Sequence, residues 1–95
     1  MEILDKRLHI SNPTTNKSLI ATIFTTFDDF SLVLDRLFDL GYTSIYELTT
    51  EQFAECAINR EELGLVWLDI DEEDVEYFIS GQMAVVEDNG ELHQF

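Results

Sequence analysis

The stretch SLIATIFTTFDDFSLVLDRLFDLG, residues 18–41, carries two hydrophobic periods back to back. Residues 18–25 are apolar and β-branched, the composition of a strand. From Phe27 the period changes. Phe27, Phe30, Val33, Leu34, Leu37, Phe38 and Leu40 fall on one broad stripe at helical spacing, which predicts a helix over 28–40. Asp28, Asp35 and Asp39 fall on the opposite face. Thr26 or Asp28 is placed to cap the start, where early acids suit the helix dipole. Gly41 supplies the left-handed residue that commonly follows a C-cap. A strand feeding a core helix with an acidic outer face points to an α+β fold.

On the amino-terminal side, residues 2–10 alternate in part, with Leu4, Leu8 and Ile10 in phase. The turn formers between Ser11 and Asn16 join this segment to residues 18–25 as a hairpin. On the carboxy-terminal side, a short strand or turn over 43–48 precedes Thr49 or Thr50 as the cap of a second helix. That helix runs to about residue 58, or on to Leu63 before Gly64, with Phe53, Cys56 and Ala57 inward and Glu51, Glu55 and Glu62 outward. Residues 65–70 read as a strand, expected to be central. A third helix is expected over 71–80, with Val75, Phe78 and Ile79 inward, Asp71 and Asp74 in a variant capping box, and Gly81 as its stop. Residues 83–95 read as a hairpin turning at Asn89-Gly90. A two-residue loop there pairs Asp88 with Glu91, and a three-residue loop pairs Val86 with Leu92. The order ββα(β)αβαββ gives one small α+β domain over residues 1–95. Its antiparallel sheet is built from the N- and C-terminal hairpins, with about three helices packed on one face.

Charge narrows the function. Twenty Asp and Glu oppose five Lys and Arg, a net of −15. The imbalance lies in residues 18–95, where eighteen acids face only Arg36 and Arg60, a net of −16. Such a field repels nucleic acid and anionic lipid and attracts basic surfaces. The expected partner is therefore a basic, nucleic-acid-binding protein, with no direct contact to nucleic acid or membrane. An apolar fraction of 45% excludes a disordered acidic tail. The first seven residues contain no apolar signal-peptide core, so a cytoplasmic location is expected.

Catalytic and metal chemistry find little grammar. Cys56 is the single cysteine and reads as a buried, inert thiol, with no His or cation near it in sequence. His9 and His93 lie far apart and read as structural or surface residues. Asp69-x-Asp71-x-Glu73 imitates the start of an EF-hand loop. Asp74 then occupies the position that needs Gly, and Ser80 the one that needs Glu. Neither an enzyme nor a cofactor nor a metal is expected.

What remains is the arrangement of carboxylates. Duplex DNA carries about one negative charge per 1.7 Å of axis. Helix positions three or four apart, about 5–6 Å between Cβ atoms, suit such a row. Asp28, Asp35 and Asp39 form one row, and Glu51, Glu55 and Glu62 a second if their helix is long enough. The run Asp69, Asp71, Glu72, Glu73, Asp74 and Glu76 forms a third. Leu32, Tyr42, Tyr46 and Tyr77 are candidates for apolar contacts beside them. The expected partner-binding residues are Asp69, Asp71, Glu72, Glu73, Asp74 and Glu76, with Asp35 and Asp39 secondary.

In length and charge the chain resembles, as a class, the small DNA-mimic inhibitors of phages and mobile elements, including anti-restriction and anti-CRISPR proteins and inhibitors of DNA-repair enzymes. It is equally similar in bulk to acidic immunity proteins and antitoxins. The first resemblance implies a stoichiometric inhibitor of a basic nucleic-acid channel, such as that of a phage-defence nuclease. The second implies neutralisation of one cognate basic toxin. An acidic structural or interaction module is the third class consistent with the composition.

Overall fold

Two nine-residue strands, β1 (Ile3–Ser11) and β2 (Ser18–Thr26), pair antiparallel from Ile3↔Thr26 to Ser11↔Ser18. They belong to a computed structural model that describes residues 2–87 and 90–95. Asn12 organises the reversal between them. Its side-chain oxygen accepts from the Thr14 and Thr15 amides at 3.0 and 3.3 Å, and its Nδ2 donates to the Leu40 carbonyl at 3.3 Å. That last contact explains the glycine at 41. A Cβ there would sit 2.8 Å from Asn12 Nδ2, and φ is +96°.

Helix α1 (Phe27–Asp39) follows β2 directly, capped by Thr26, whose hydroxyl accepts from the Asp29 amide at 3.3 Å. It closes with a Schellman pattern: the Tyr42 amide donates to the Leu37 carbonyl and the Gly41 amide to that of Phe38. Strand β3 (Ser44–Glu47) then returns to pair antiparallel with the outer edge of β1. Thr49 and Gln52 form a reciprocal capping box for α2 (Thr50–Ile58). The helix breaks at Asn59, and a single turn, α3 (Arg60–Leu63), ends on Gly64 at φ +66°. Strand β4 (Leu65–Asp71), helix α4 (Val75–Ile79) and the hairpin β5 (Ala84–Val86) and β6 (Leu92–Gln94) complete the chain.

The main sheet has the order β3-β1-β2-β4, and β4 runs parallel to β2. The sheet is therefore mixed rather than wholly antiparallel. The reason is the connection: a strand reached from β3 through two helices makes a crossover, not a hairpin. β4 is also an edge strand, not the central one its composition suggests. Only its first half is apolar on both sides: helices cover Leu65 and Trp67 on the second face, whereas Asp69 and Asp71 farther along that face are exposed. Val66, Leu68 and Ile70 enter the main core with Leu8, Ile10, Leu19, Ala21, Ile23, Val33, Leu37, Val75 and Phe78. Alternation turns Trp67 to the second face, where its ring meets Phe53 of α2 at 5.3 Å and Arg60 lies over it at 5.7 Å. Thus α1 and α4 cover the first face and α2 part of the second, instead of all helices sharing one face.

Two further expectations change. The carboxy-terminal hairpin forms its own two-stranded sheet. It docks through Phe95, whose ring is 5.2 Å from Phe78, and through His93. Its register is Val86↔Leu92, the second of the two expected pairings, and Gly90 adopts φ +85°. Asp88 and Asn89 lie outside the described residues. The helix expected over 71–80 is shorter, because residues 71–74 form a turn that the Asp71 side chain holds.

Candidate protein-binding surface

The run from Asp69 to Glu76 spans a strand, a turn and a helix, so it is not one helical row. Asp69 and Asp71 alternate with buried Leu68 and Ile70 on β4 and therefore lie on the second face of the sheet. The Asp69 carboxylate accepts from the Thr22 hydroxyl at 2.7 Å. The Asp71 carboxylate accepts from the Glu73 and Asp74 amides at 3.0 and 3.2 Å. Glu72 and Glu73 are exposed in the turn, and Glu76 is exposed on α4. Asp35 and Asp39 are exposed on α1, beyond the first face, so they belong to a different layer from Asp69 and Asp71. The expected row of Glu51, Glu55 and Glu62 is interrupted at Asn59. Of the expected apolar contacts, Leu32, Tyr46 and Tyr77 are exposed, but Tyr42 is buried in the core.

None of the eight expected carboxylates is ion-paired to a cation among the described residues. Ion pairs among the described residues join Lys6 to Glu47, Arg7 to Asp5 and His93 to Glu87. Like charges gather instead. Desolvation first, and then the Asp71 and Asp69 carboxylates, hold Asp74 above its ordinary 3.8. A carboxyl raised on folding costs stability above its folded-state value, and the cost disappears as pH falls below the ordinary value. Asp74→Asn is therefore expected to raise Tm at pH 7 and low salt by roughly 1–4 °C. Melting curves should show the gain shrinking with added salt and vanishing near pH 3.5.

One grouping was not legible in the sequence. Where α1 meets α4, Asp29, Leu32, Glu72, Val75, Glu76, Ile79 and Ser80 line an open groove of about 460 Å³. Asp29 belongs to none of the helical rows and joins Glu72 and Glu76 only through this contact.

A second concavity, about 430 Å³, opens on the other side of the molecule among His9, Ser18, Leu48, Gln52, Glu55, Cys56, Leu63 and Leu65. Cys56 is half-buried here rather than enclosed, and His9 shares the space, with no hydrogen bond between them. Among the described residues, no three His, Cys, Asp or Glu are grouped to hold a metal ion. No helix among them is long and apolar enough to cross a membrane.

The buried polar centre is structural. The Tyr42 hydroxyl lies 3.1 Å from His93 Nε2, and His93 Nδ1 lies 3.5 Å from Glu87. A neutral ring that accepts from Tyr42 and donates to Glu87 satisfies all three. Desolvation, with a smaller contribution from Lys17, holds His93 below its ordinary 6.5, while Glu87 opposes the shift. The unfolded chain therefore binds this proton more readily. The stability of the neutral arrangement is fully present above 6.5 and is lost as pH falls through the depressed value. Acidification from pH 7 to 5 should loosen the β5–β6 hairpin before the sheet, seen as a larger fall in amide protection factor, after allowance for the slower intrinsic exchange at low pH, at Val85 and His93 than at Ile20 or Ala21. An equal fall in protection at both places would contradict this.

No protein-family model matches the chain, and neither a curated protein nor a solved structure gives a match.

Proposed function

We propose that this protein is a stoichiometric inhibitor that mimics nucleic acid. It would act in the cytoplasm on the basic nucleic-acid channel of a target such as a phage-defence nuclease, as a binding protein rather than an enzyme. The observation that supports this reading is the charge excess: exposed carboxylates on β4, α4 and α1 that are not ion-paired to a cation among the described residues, in a chain of net −15. In a complex, those carboxylates meet the Lys and Arg that otherwise bind phosphates, with bidentate Arg pairs the strongest. Steering by the −15 field would make association fast and salt-sensitive.

A capture experiment tests this. Tagged protein is incubated with bacterial lysate and washed at low and then high salt, with and without competing duplex DNA. The expected result is a basic nucleic-acid enzyme that is retained at low salt, released at high salt and displaced by DNA. Recovery of no basic protein would sink the proposal. Retention of a single toxin-like protein despite DNA would replace it with the immunity reading. The split of the acidic groups between two layers favours that alternative, since a partner matched to this one shape could engage both.

A further inference from the structure

We propose that the groove between α1 and α4 is the specificity element of the binding surface, and that it seats an apolar side chain of a basic partner segment with Arg or Lys on either side. This rests on the reading above that the partner is basic.

The groove has a floor and a rim of different chemistry. Leu32 and half-buried Ile79, over the edge of buried Val75, form the apolar part, and Asp29, Glu72 and Glu76 supply carboxylates from three separate elements. Leu32 is 48% exposed although it faces a helix neighbour, so this helix pair leaves aliphatic surface uncovered. The volume, about 460 Å³, lies within the size of clefts that seat ligands. The lining includes no cation. Arg36, one helical turn beyond Leu32, instead brings its guanidinium to Gly81, where a Cβ would meet it at 3.2 Å.

Charge complementarity selects the occupant. A second copy of this chain would carry another −15 toward three carboxylates, and an acidic segment would be repelled equally. A purely polar basic segment would satisfy the rim and leave the aliphatic floor wet. A basic segment with a central Leu, Met or aromatic anchor satisfies both. Phosphate rows have no counterpart to such a floor, so the groove would separate one cognate partner from basic proteins in general.

Two fluorescein-labelled peptides of equal length and charge test this by anisotropy with the full chain. One places two leucines between pairs of arginines; the other carries serines in place of the leucines. The leucine peptide should bind about tenfold tighter, the worth of one buried aliphatic side chain. Leu32→Asn should abolish that preference and leave the serine peptide unchanged. Glu76→Gln should weaken both peptides alike. Circular dichroism verifies that each exposed substitution leaves the fold intact. Equal affinity of the two peptides, or a preference that survives Leu32→Asn, overturns the groove. In that event capture of a basic enzyme would still leave the acidic-surface reading standing. Conversely, a leucine preference with no basic protein captured would retain the groove and remove the inhibitor reading.

Discussion

A variant carrying Glu72→Lys, Glu73→Lys and Glu76→Lys is expected to fold like the parent and to lose its captured partner. These three side chains are exposed and make no side-chain hydrogen bond or ion pair among the described residues, whereas Asp69 and Asp71 anchor Thr22 and the turn and are better left in place. Each substitution changes the charge by two, so the net moves from −15 to −9. Close charge pairs across an interface couple by about 1.5–7 kcal/mol, against about 0.2–1 kcal/mol for exposed pairs. Three contacts turned from attractive to repulsive should thus weaken binding at least about 100-fold. Titration calorimetry at 50 and 300 mM salt measures this, and an unchanged melting transition shows that the fold is retained. The matched control is Glu51→Lys, Glu55→Lys and Glu61→Lys, which changes net charge equally on α2 and α3. Binding that survives the first set and fails in the second would move the interface to the opposite side of the sheet.

The difference between these two sets could not be drawn from sequence, and the reason is physical. Local periodicity reads one element at a time. It placed α1 and its Gly41 stop and offered Thr26, beside Asp28, as the cap, because those depend on neighbours three or four residues apart. It also found β1 and β2 and offered Thr49, beside Thr50, as the cap of α2. It did not find that β4 is a parallel edge strand. Apolar residues on both faces of a strand report only what lies above and below it, here α2 over Trp67, and say nothing of how many of its edges are paired. The same limit governs the site. Asp69, at the end of an expected strand, and Asp71, at the start of an expected helix, read as one row with Glu72–Glu76, although alternation with Leu68 and Ile70 fixes both to the sheet face opposite α1. Asp29 and Glu76, or Tyr42 and His93, meet only after the chain closes, and no spacing rule connects residues so far apart.

Phe78→Ala is expected to cause the largest loss of stability of any single substitution considered. Phe78 is fully buried, and its ring meets Phe95 edge-on at 5.2 Å, so one side chain ties α4, the main core and the carboxy-terminal hairpin together. α4 has only five residues, too few for a helix to persist without tertiary contacts. Removing a buried Phe costs about 3–5 kcal/mol, and domains hold only about 5–15 kcal/mol in total. Self-repulsion at −15 places this chain toward the low end. A fall in Tm of roughly 15–30 °C follows, measurable by calorimetry at pH 7. Partner binding should fail too, because α4 forms one wall of the groove, but for a different reason from the lysine variant. In Phe78→Ala the cooperative transition weakens along with binding; in the triple variant binding goes and the transition stays. A loss of under 1 kcal/mol in Phe78→Ala would mean that α4 is not anchored against the core. The groove and the carboxylates it positions would then have no fixed geometry with which to recognise a partner.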